Sequence, residues 1–311
     1  MHDAPLFSDI AEGPPDGAAF WLAAEDGTRI RVADWPAADM PTPRGTVLIF
    51  PGRTEYIEKY GRVAAEFSEA GFTVAAIDWR GQGLADRVTA DKRLGHVSDF
   101  AEFQQDVRAY FAYAEARNLP KPWFLLGHSM GGCIGLRALL EGAPVAAAGF
   151  SAPMWGVLMT WWQKPIAVLT ALLARPLKIS ERIVPGTSPI TYVEKNPFDD
   201  NTLTRNRCAF DYMRQQARKH PELTLGGPTI GWLKAAMAET RALAKLPAPD
   251  VKTLTFLGSN ERIVQKSAIR NRMARWANGE LIECGGAEHE LLMETAAIRE
   301  RVITDFENFF R

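Results

Sequence analysis

Cysteine is scarce in this chain of 311 residues, and the positions of the few cysteines argue against a disulfide-stabilised protein and against a cysteine-bound metal site. They are three in number and far apart in sequence, at Cys133, Cys208 and Cys284. An odd, scattered set argues against a disulfide framework and fits a reducing compartment. No Cys-x-x-Cys or His-x-x-x-His spacing indicates a metal site. We therefore expect a protein that depends on neither disulfides nor a metal ion.

Excess charge of one sign and long hydrophobic runs are missing as well. The formal net charge is −1, so no overall field favours nucleic acid. The most apolar stretch, residues 154–173, is interrupted by Gln163, Lys164 and Pro165. A membrane span needs about 20 mainly apolar residues, so we predict none. The first 17 residues are acidic and lack the basic and apolar regions of a signal peptide. We expect a cytoplasmic protein.

A glycine-rich turn is the most informative segment that the chain does contain, Gly127-His128-Ser129-Met130-Gly131. The apolar run 123–126 before it predicts a strand, and residues 133–140 after it predict a helix. A strand that turns at once into a helix strains its central residue and leaves room only for glycine beside it. Such a nucleophile elbow exposes a serine hydroxyl above a helix N-terminus, where negative charge is favoured. We predict that Ser129 is a nucleophile.

The pattern of the remaining segments predicts the architecture. Apolar runs typical of buried parallel strands alternate with helical segments. This alternation ends after residue 152 and resumes near residue 247. Between them lie helical segments rich in tryptophan, methionine and arginine, broken by prolines. We predict an α/β fold of the hydrolase type, with a mainly parallel sheet flanked by helices. Its core comprises residues 1–152 and 247–311, with a helical cap inserted at 153–246.

Two partners for the serine follow from that layout. A serine hydroxyl needs a base, and histidine suits the task near neutral pH. Of the five histidines, His289 follows the final strand, at the sheet edge where Ser129 is expected; an exposed loop histidine is the alternative. Glu261 follows the strand 253–257 and is our choice for the acid that orients the imidazole. Asp250 precedes that strand, at the wrong end. The order serine, acid, histidine is typical of this fold.

Backbone donors are needed to stabilise the oxyanion of a tetrahedral intermediate. Met130 follows the nucleophile, and Arg53 follows the early strand 46–50. We predict that their two N–H groups form the oxyanion hole. The Arg53 side chain is a candidate for contacting a phosphate on the substrate; the alternative is a surface ion pair with Glu55 or Glu58. We expect no organic cofactor.

Tryptophans of the predicted cap suggest how substrate is held. They could form an acyl-chain pocket or a patch that rests on the inner face of a membrane. The alternative is that they pack the cap onto the sheet. His96, in a loop before the helix predicted at 100–118, is a further candidate on the substrate side. Nothing in the sequence indicates an oligomeric state. The candidate tryptophans are Trp155, Trp161, Trp162 and Trp232.

With these residues in place, the chain resembles the lysophospholipase and monoacylglycerol lipase family of α/β-hydrolases over nearly its whole length. Gly-His-Ser-Met-Gly-Gly at 127–132 matches the elbow of that family, and Asp-Trp-Arg-Gly-Gln-Gly at 78–83 is similar to its Asp-x-Arg-Gly-x-Gly loop. The segments 51–53, 94–97 and 225–229 resemble its bacterial lysophospholipase branch. Glu261 stands where most of the family has aspartate, although that branch tolerates glutamate.

The resemblance implies a serine carboxylester hydrolase that releases a fatty acid from a lysophospholipid or a monoacylglycerol through an acyl-enzyme. A proline aminopeptidase is the alternative, because such enzymes share the fold, the triad and a helical cap. They need an acidic pocket for the substrate amine. The predicted cap contains Asp199 and Asp200 but is otherwise basic and aromatic. A non-catalytic binding protein is a third reading, but such proteins usually lose a triad member and none is missing here.

Overall fold

A single nine-stranded sheet organises the chain. The computed structural model describes residues 1–38, 42–159 and 179–311, and all nine strands lie in these ranges. The sheet order is β1-β2-β3-β5-β4-β6-β7-β8-β9 when the strands are numbered along the chain. These strands are β1 His2–Ala4, β2 Ala18–Ala23, β3 Arg29–Trp35, β4 Thr46–Phe50, β5 Thr73–Asp78, β6 Trp123–His128, β7 Ala147–Ser151, β8 Lys252–Gly258 and β9 Gly279–Cys284.

Helices connect most of the strands from β4 onwards. Within the described ranges they are α1 Ser8–Ala11, α2 Gly61–Glu69, α3 Ala101–Ala116, α4 Met130–Leu140, α5 Tyr192–Lys195, α6 Arg207–Lys219, α7 Ile230–Lys245, α8 Lys266–Met273 and α9 Ala296–Phe309. Short 3₁₀ turns cover Ile57–Tyr60, Pro221–Leu223 and Leu291–Met293. Among these ranges, no helix is both long and apolar enough to span a bilayer.

The strands β4 to β9 run parallel, whereas β1, β2 and β3 form an antiparallel edge joined to β5. Both faces of the parallel part are covered. Along β4, Leu48 and Phe50 belong to one apolar cluster and Val47 and Ile49 to the other. Because side chains alternate between the faces of a strand, a strand buried on both faces must be apolar throughout. This is why the apolar runs predicted the central strands.

The register of the central strands brings their carboxyl ends to one edge of the sheet. Phe50 lies opposite Gly127 in the next strand, and His128 lies opposite Ser151 in the one after it. The loops that leave β4, β6, β8 and β9 therefore meet at that edge, which is where open α/β sheets bind ligands. The predicted fold class is confirmed, and the boundaries differ by a few residues. The helix predicted at 100–118 spans Ala101–Ala116.

The segment between β7 and β8 corresponds to the part of the sequence in which the alternation of strand and helix patterns is interrupted. Its described residues, 152–159 and 179–251, contain α5, α6 and α7 and contribute no strand to the sheet. Apolar side chains of α6 and α7 join the two clusters that cover the sheet, for example Phe210 and Ala236. The division into a core and an inserted cap with bounds at 153 and 246 remains a proposal.

Candidate active site

The turn between β6 and α4 holds Ser129 in a strained conformation. Its φ and ψ are 48° and −116°, in a region that residues other than glycine rarely enter. The Ser129 backbone is fixed from both sides, because its N–H donates to Ser151 at 3.1 Å and its carbonyl accepts from Met154 at 2.8 Å. The side chain makes no capping bond to the helix that follows. The hydroxyl is therefore left for the cavity above the sheet.

A close backbone approach explains the glycine that follows. A Cβ placed on Gly131 would lie 1.8 Å from the carbonyl oxygen of Phe50, at the end of β4. No side chain fits there, so α4 can start directly above the sheet only with glycine at this position.

A histidine and a glutamate from the neighbouring loops form a buried pair. His289 follows β9, Glu261 follows β8, and His289 Nδ1 lies 2.6 Å from Glu261 Oε2. The other carboxylate oxygen accepts the N–H groups of Ile263 at 2.6 Å and Val264 at 3.0 Å. Burial raises the pKa of Glu261, but the charge and hydrogen bond of His289 and these two N–H groups outweigh it and hold the pKa below its usual value.

An ionised Glu261 determines which nitrogen of His289 carries the proton. A carboxylate can only accept, so Nδ1 must donate, and the lone pair of a neutral imidazole then lies on Nε2. Ser129 and His289 line the same cavity. Among the hydrogen bonds of the described residues, none joins their side chains, and such bonds often tighten only when substrate is bound.

Two backbone N–H groups at the same edge lack partners. The amides of Arg53, after β4, and of Met130, at the start of α4, donate to no acceptor among the described residues. Glu55 holds the Arg53 loop in place, since its carboxylate accepts the N–H of Gly52 and the hydroxyl of Tyr60. The loop thus keeps its shape while the Arg53 amide stays free.

The cavity that contains Ser129 has a volume of about 500 Å³. This lies within the range of about 300–1,000 Å³ that is usual for small-molecule sites. Its walls are mostly apolar, and they come from the sheet loops and from the segment between β7 and β8. The apolar lining includes Met154, Val157, Leu203, Met213, Leu225, Trp232, Leu233, Ile263 and Val264.

Arg53 places a cation in this cavity without a counter-ion. Its Nε and Nη2 atoms are buried, and neither has a hydrogen-bond partner in the part of the chain that the structure describes. The guanidinium lies over the ring of Trp232, 5.1 Å from its centre. Burial lowers the pKa of Arg53 to about 9. The predicted alternative, a surface ion pair with Glu55 or Glu58, is not formed, because both carboxylates are buried with other cations.

A buried ion-pair cluster forms part of the cavity wall. Lys59 bridges two carboxylates, contacting Glu55 and lying 2.7 Å from Glu290. His128 turns away from Ser129 towards the same carboxylates, with Nε2 3.4 Å from Glu290. Burial raises the pKa of Glu290, but the charges of Lys59 and His128 outweigh it and hold the pKa well below its usual value.

Carboxylates and an imidazole in that cluster resemble a set of metal ligands. Atoms of Glu55, His128 and Glu290 lie within 4.8 Å of one another. The ammonium of Lys59 already takes the place of a cation between them, so we assign the cluster to an internal ion-pair network. It couples the Arg53 loop to the loop of His289. Sequence reasoning missed this network, because its members come from segments that are far apart in the chain.

The other residues predicted to contact substrate divide into one that lines the cavity and others that do not. Trp232 lines the cavity, but Trp155 and His96 are not among its described lining residues. The indole N–H of Trp155 donates to the carbonyl of Gly132 at 3.0 Å, and its ring packs edge-on against Phe150. Nδ1 of His96 lies 2.9 Å from Oγ1 of Thr229, at the start of α7. Both tie the segment between β7 and β8 to the core.

Two of the predicted tryptophans, Trp161 and Trp162, fall outside the described residues. Trp155 and Trp232 are buried, with 4% and 7% of their surface exposed. Neither of these two can therefore rest on a membrane in this conformation. The predicted contact of the cap with the inner face of the membrane and the cytoplasmic location both stay predictions.

A larger cavity lies away from Ser129. It measures about 750 Å³ and is lined by Trp155 together with residues of α7 and α8. Of its three arginines, Arg272 and Arg275 are bonded to backbone carbonyls at the end of α7 and beyond, and Arg241 is exposed. We place the site in the smaller cavity, because that one contains Ser129, His289 and the unpaired guanidinium.

Comparison with known proteins identifies the family of this arrangement. Residues 41–296 match the family model described as serine aminopeptidase, S33. The chain belongs to this hydrolase family. Lysophospholipase L2 of Escherichia coli K12 is 31% identical over 281 residues, which cover 85% of this chain and 79% of that protein. A monoacylglycerol lipase of Mycolicibacterium smegmatis is 38% identical over 114 residues, covering 36% of this chain and 38% of that protein.

A solved structure has the same fold. A soluble variant of monoglyceride lipase from Saccharomyces cerevisiae, in complex with a substrate analogue, superposes with a TM-score of 0.74 at 20% identity, covering 94% of each chain. The family resemblance and the fold expected from the sequence are thereby confirmed. The roles assigned to Ser129, Glu261, His289, Arg53 and Met130 stay predictions, which the geometry above supports.

Proposed function

We propose that this member of the S33 family is a serine carboxylester hydrolase that releases a fatty acid from lysophospholipids or monoacylglycerols. One observation carries the proposal: a serine strained at a strand–helix turn and a histidine paired with a buried glutamate line one apolar cavity. The named relatives act on such lipids, which favours the same substrates here.

The first half of the reaction forms the acyl-enzyme. Nε2 of His289 takes the proton from Ser129 as Oγ attacks the ester carbonyl, and Glu261 stabilises the imidazolium that forms. The negative charge moves to the carbonyl oxygen, where the free N–H groups of Arg53 and Met130 can donate to it. His289 then gives its proton to the glycerol oxygen, the ester bond breaks, and the alcohol leaves.

The second half releases the acid. Water takes the place of the alcohol and loses a proton to His289 while attacking the acyl-enzyme carbonyl. Collapse of the second tetrahedral intermediate returns the proton to Ser129 and frees the fatty acid. Each step uses residues of this chain alone. The apolar lining of the cavity suits the acyl chain, because burying it removes apolar surface from water.

An aminopeptidase is the second candidate, since the family model carries that description. The charges in the cavity argue against it. A peptide amino terminus needs an unpaired carboxylate, but Glu55 and Glu290, which line the cavity, are both paired with Lys59. Arg53 adds to the cavity a cation whose Nε and Nη2 atoms have no partner among the described residues, and a cation repels an ammonium.

Substrate comparison and labelling test the proposal together. Purified protein should hydrolyse a monoacyl glycerophospholipid and a monoacylglycerol but not a proline-terminated amide. A fluorophosphonate probe should label Ser129, as read by peptide mass spectrometry, and Ser129→Ala should abolish labelling and turnover. The matched control is Ser267→Ala, which alters an exposed serine on α8. Hydrolysis of the amide alone, or full activity in Ser129→Ala, would contradict the proposal.

A further inference from the structure

Buried cations close to the site are matched by carboxylates, and Arg53 departs from that pattern. Lys59 contacts Glu55 and Glu290, and Arg31 lies 2.8 Å from Glu58. Within the described ranges, no carboxylate forms an ion pair with Arg53. Its Nε and Nη2 atoms are buried and unbonded.

Leaving a buried charge unpaired is unfavourable, because the group loses its hydration and gains nothing in return. Burial alone accounts for the lowered pKa of Arg53. Groups kept in such a state are typical of functional sites. The Arg53 side chain lines the same cavity as Ser129 and His289, so its missing partner is an anion that enters with the substrate.

We propose that Arg53 binds the phosphodiester of a monoacyl glycerophospholipid, so that the enzyme prefers lysophospholipids to monoacylglycerols. This rests on the proposed ester hydrolysis and adds its head-group selectivity. An uncharged glycerol head group offers the guanidinium no counter-ion. A phosphodiester does, through hydrogen bonds between charged groups that are about twice as strong as neutral ones.

Chain lengths match between the residue and the lipid. The guanidinium carbon of Arg53 lies as many covalent bonds from its backbone nitrogen as the phosphorus of a 1-acyl glycerophospholipid lies from its ester carbonyl carbon. The backbone N–H of Arg53 is the proposed donor to that carbonyl oxygen. One residue therefore contacts both ends of the glycerol unit, which fixes the reacting ester relative to the head group.

Trp232 supports the guanidinium without using its hydrogen-bond donors. The guanidinium carbon lies over the indole ring, 5.1 Å from the ring centre, in a cation–π contact. The Nε and Nη2 atoms of Arg53 have no hydrogen-bond partner among the described residues. The donors of Arg53 thus stay available for two phosphate oxygens.

The test compares two esters with the same medium-length acyl chain, a lysophosphatidylglycerol and a monoacylglycerol, both below their critical micelle concentrations. The quantity measured is the ratio of their kcat/KM values. Arg53→Met keeps the backbone N–H and removes the charge, and it should lower the ratio about 10- to 100-fold, as expected for loss of charge-assisted hydrogen bonds. Arg53→Lys should restore part of it.

Controls separate local binding from general charge effects. Arg218→Met removes an exposed positive charge on α6, away from the cavity, and should leave the ratio unchanged. Inorganic phosphate and glycerol 3-phosphate are tested as competitors against the monoacylglycerol. If these anions compete in the wild-type protein but not in Arg53→Met, free phosphate also binds to Arg53. If they do not compete and Arg53→Met still lowers the kcat/KM ratio, the phosphate is recognised only as a lipid head group. Both support the proposal.

Three outcomes would overturn it. If Arg53→Met leaves the ratio unchanged, Arg53 does not select the head group, and the proposed ester hydrolysis still stands. If the wild-type protein is inactive on both esters, the proposed function itself is refuted. Thermal stability gives a second readout. Removing an unpaired buried charge should raise the Tm, so a lower Tm with equal loss on both esters indicates a purely structural role and also overturns the proposal.

Discussion

Replacing Glu261 by glutamine is the sharpest perturbation of the proposed mechanism. The side chain keeps its length and shape, and its oxygen can still accept the N–H groups of Ile263 and Val264. The amide group then takes the place of Oε2, which lies 2.6 Å from His289 Nδ1. An amide N–H only donates, so His289 must accept at Nδ1 and carry its proton on Nε2.

The wrong tautomer removes the base that the mechanism requires. With a proton already on Nε2, His289 cannot take the proton of Ser129, and the negative charge that stabilised the imidazolium is lost as well. Loss of the triad acid in this way lowers kcat by about 10⁴-fold. At about 1.36 kcal/mol for each factor of ten, the barrier rises by roughly 5.4 kcal/mol.

Steady-state hydrolysis of a p-nitrophenyl ester measures the effect, with kcat and KM determined separately. KM should change little, because Glu261 is buried behind His289 and the loss falls on the transition state. Thermal melting and circular dichroism verify folding. Glu261→Asp is the control: it keeps the charge, and we expect it to recover part of the activity. A folded Glu261→Gln protein that keeps a tenth or more of wild-type kcat would refute the assignment.

Three further predictions follow from the same structure. His289→Ala should lower kcat by roughly 10⁴-fold in esterase assays, with folding verified by circular dichroism, and an active variant would exclude His289 as the base. Glu290→Gln should lose about 3–5 kcal/mol of stability at neutral pH by breaking a buried ion pair. Because folding lowers the pKa of Glu290, its ion pairs stabilise the fold at a pH above the ordinary pKa of glutamate, and this stabilisation is lost as the pH falls towards the pKa in the folded protein. The melting curves of variant and wild type should therefore converge in acid. A constant gap between them would contradict this. Gly131→Ala should give little soluble protein or a Tm lower by many degrees, since its Cβ would lie 1.8 Å from a carbonyl oxygen; a Tm within a degree or two of wild type would be evidence against that packing.

Local sequence determined the parts of the fold in which neighbouring residues act together. The central strands are apolar throughout because both faces are covered, and this pattern needs no knowledge of the partner strands. The three antiparallel strands at the N-terminal edge were not predicted. The residues of β1 and β2 are partly exposed and weakly patterned. Those of β3 are buried from Ile30 to Trp35, but Arg31 and Asp34 interrupt the apolar run, and the pairing of β3 depends on docking beside β5.

The triad candidates also came from the sequence. Chain order and the expected ends of strands singled out Ser129, Glu261 and His289, and the structure brings Glu261 and His289 into a hydrogen bond. Burial of Glu290 and Glu55 could not be seen in this way. A carboxylate beside a loop histidine is usually solvated, and only the meeting of two distant loops around Lys59 makes it part of the interior.

What the sequence alone determined is the elbow, the parallel sheet and the order of the candidate triad residues, because each follows from residues close together in the chain or from the rules of strand connection. Tertiary structure alone decided which charges are paired. Arg53 has carboxylates two and five residues away in the sequence, yet Lys59 and Arg31 bind them. Pairing depends on distances between loops that only the folded sheet fixes. This competition for carboxylates leaves the cation of Arg53 in the cavity that Ser129 also lines.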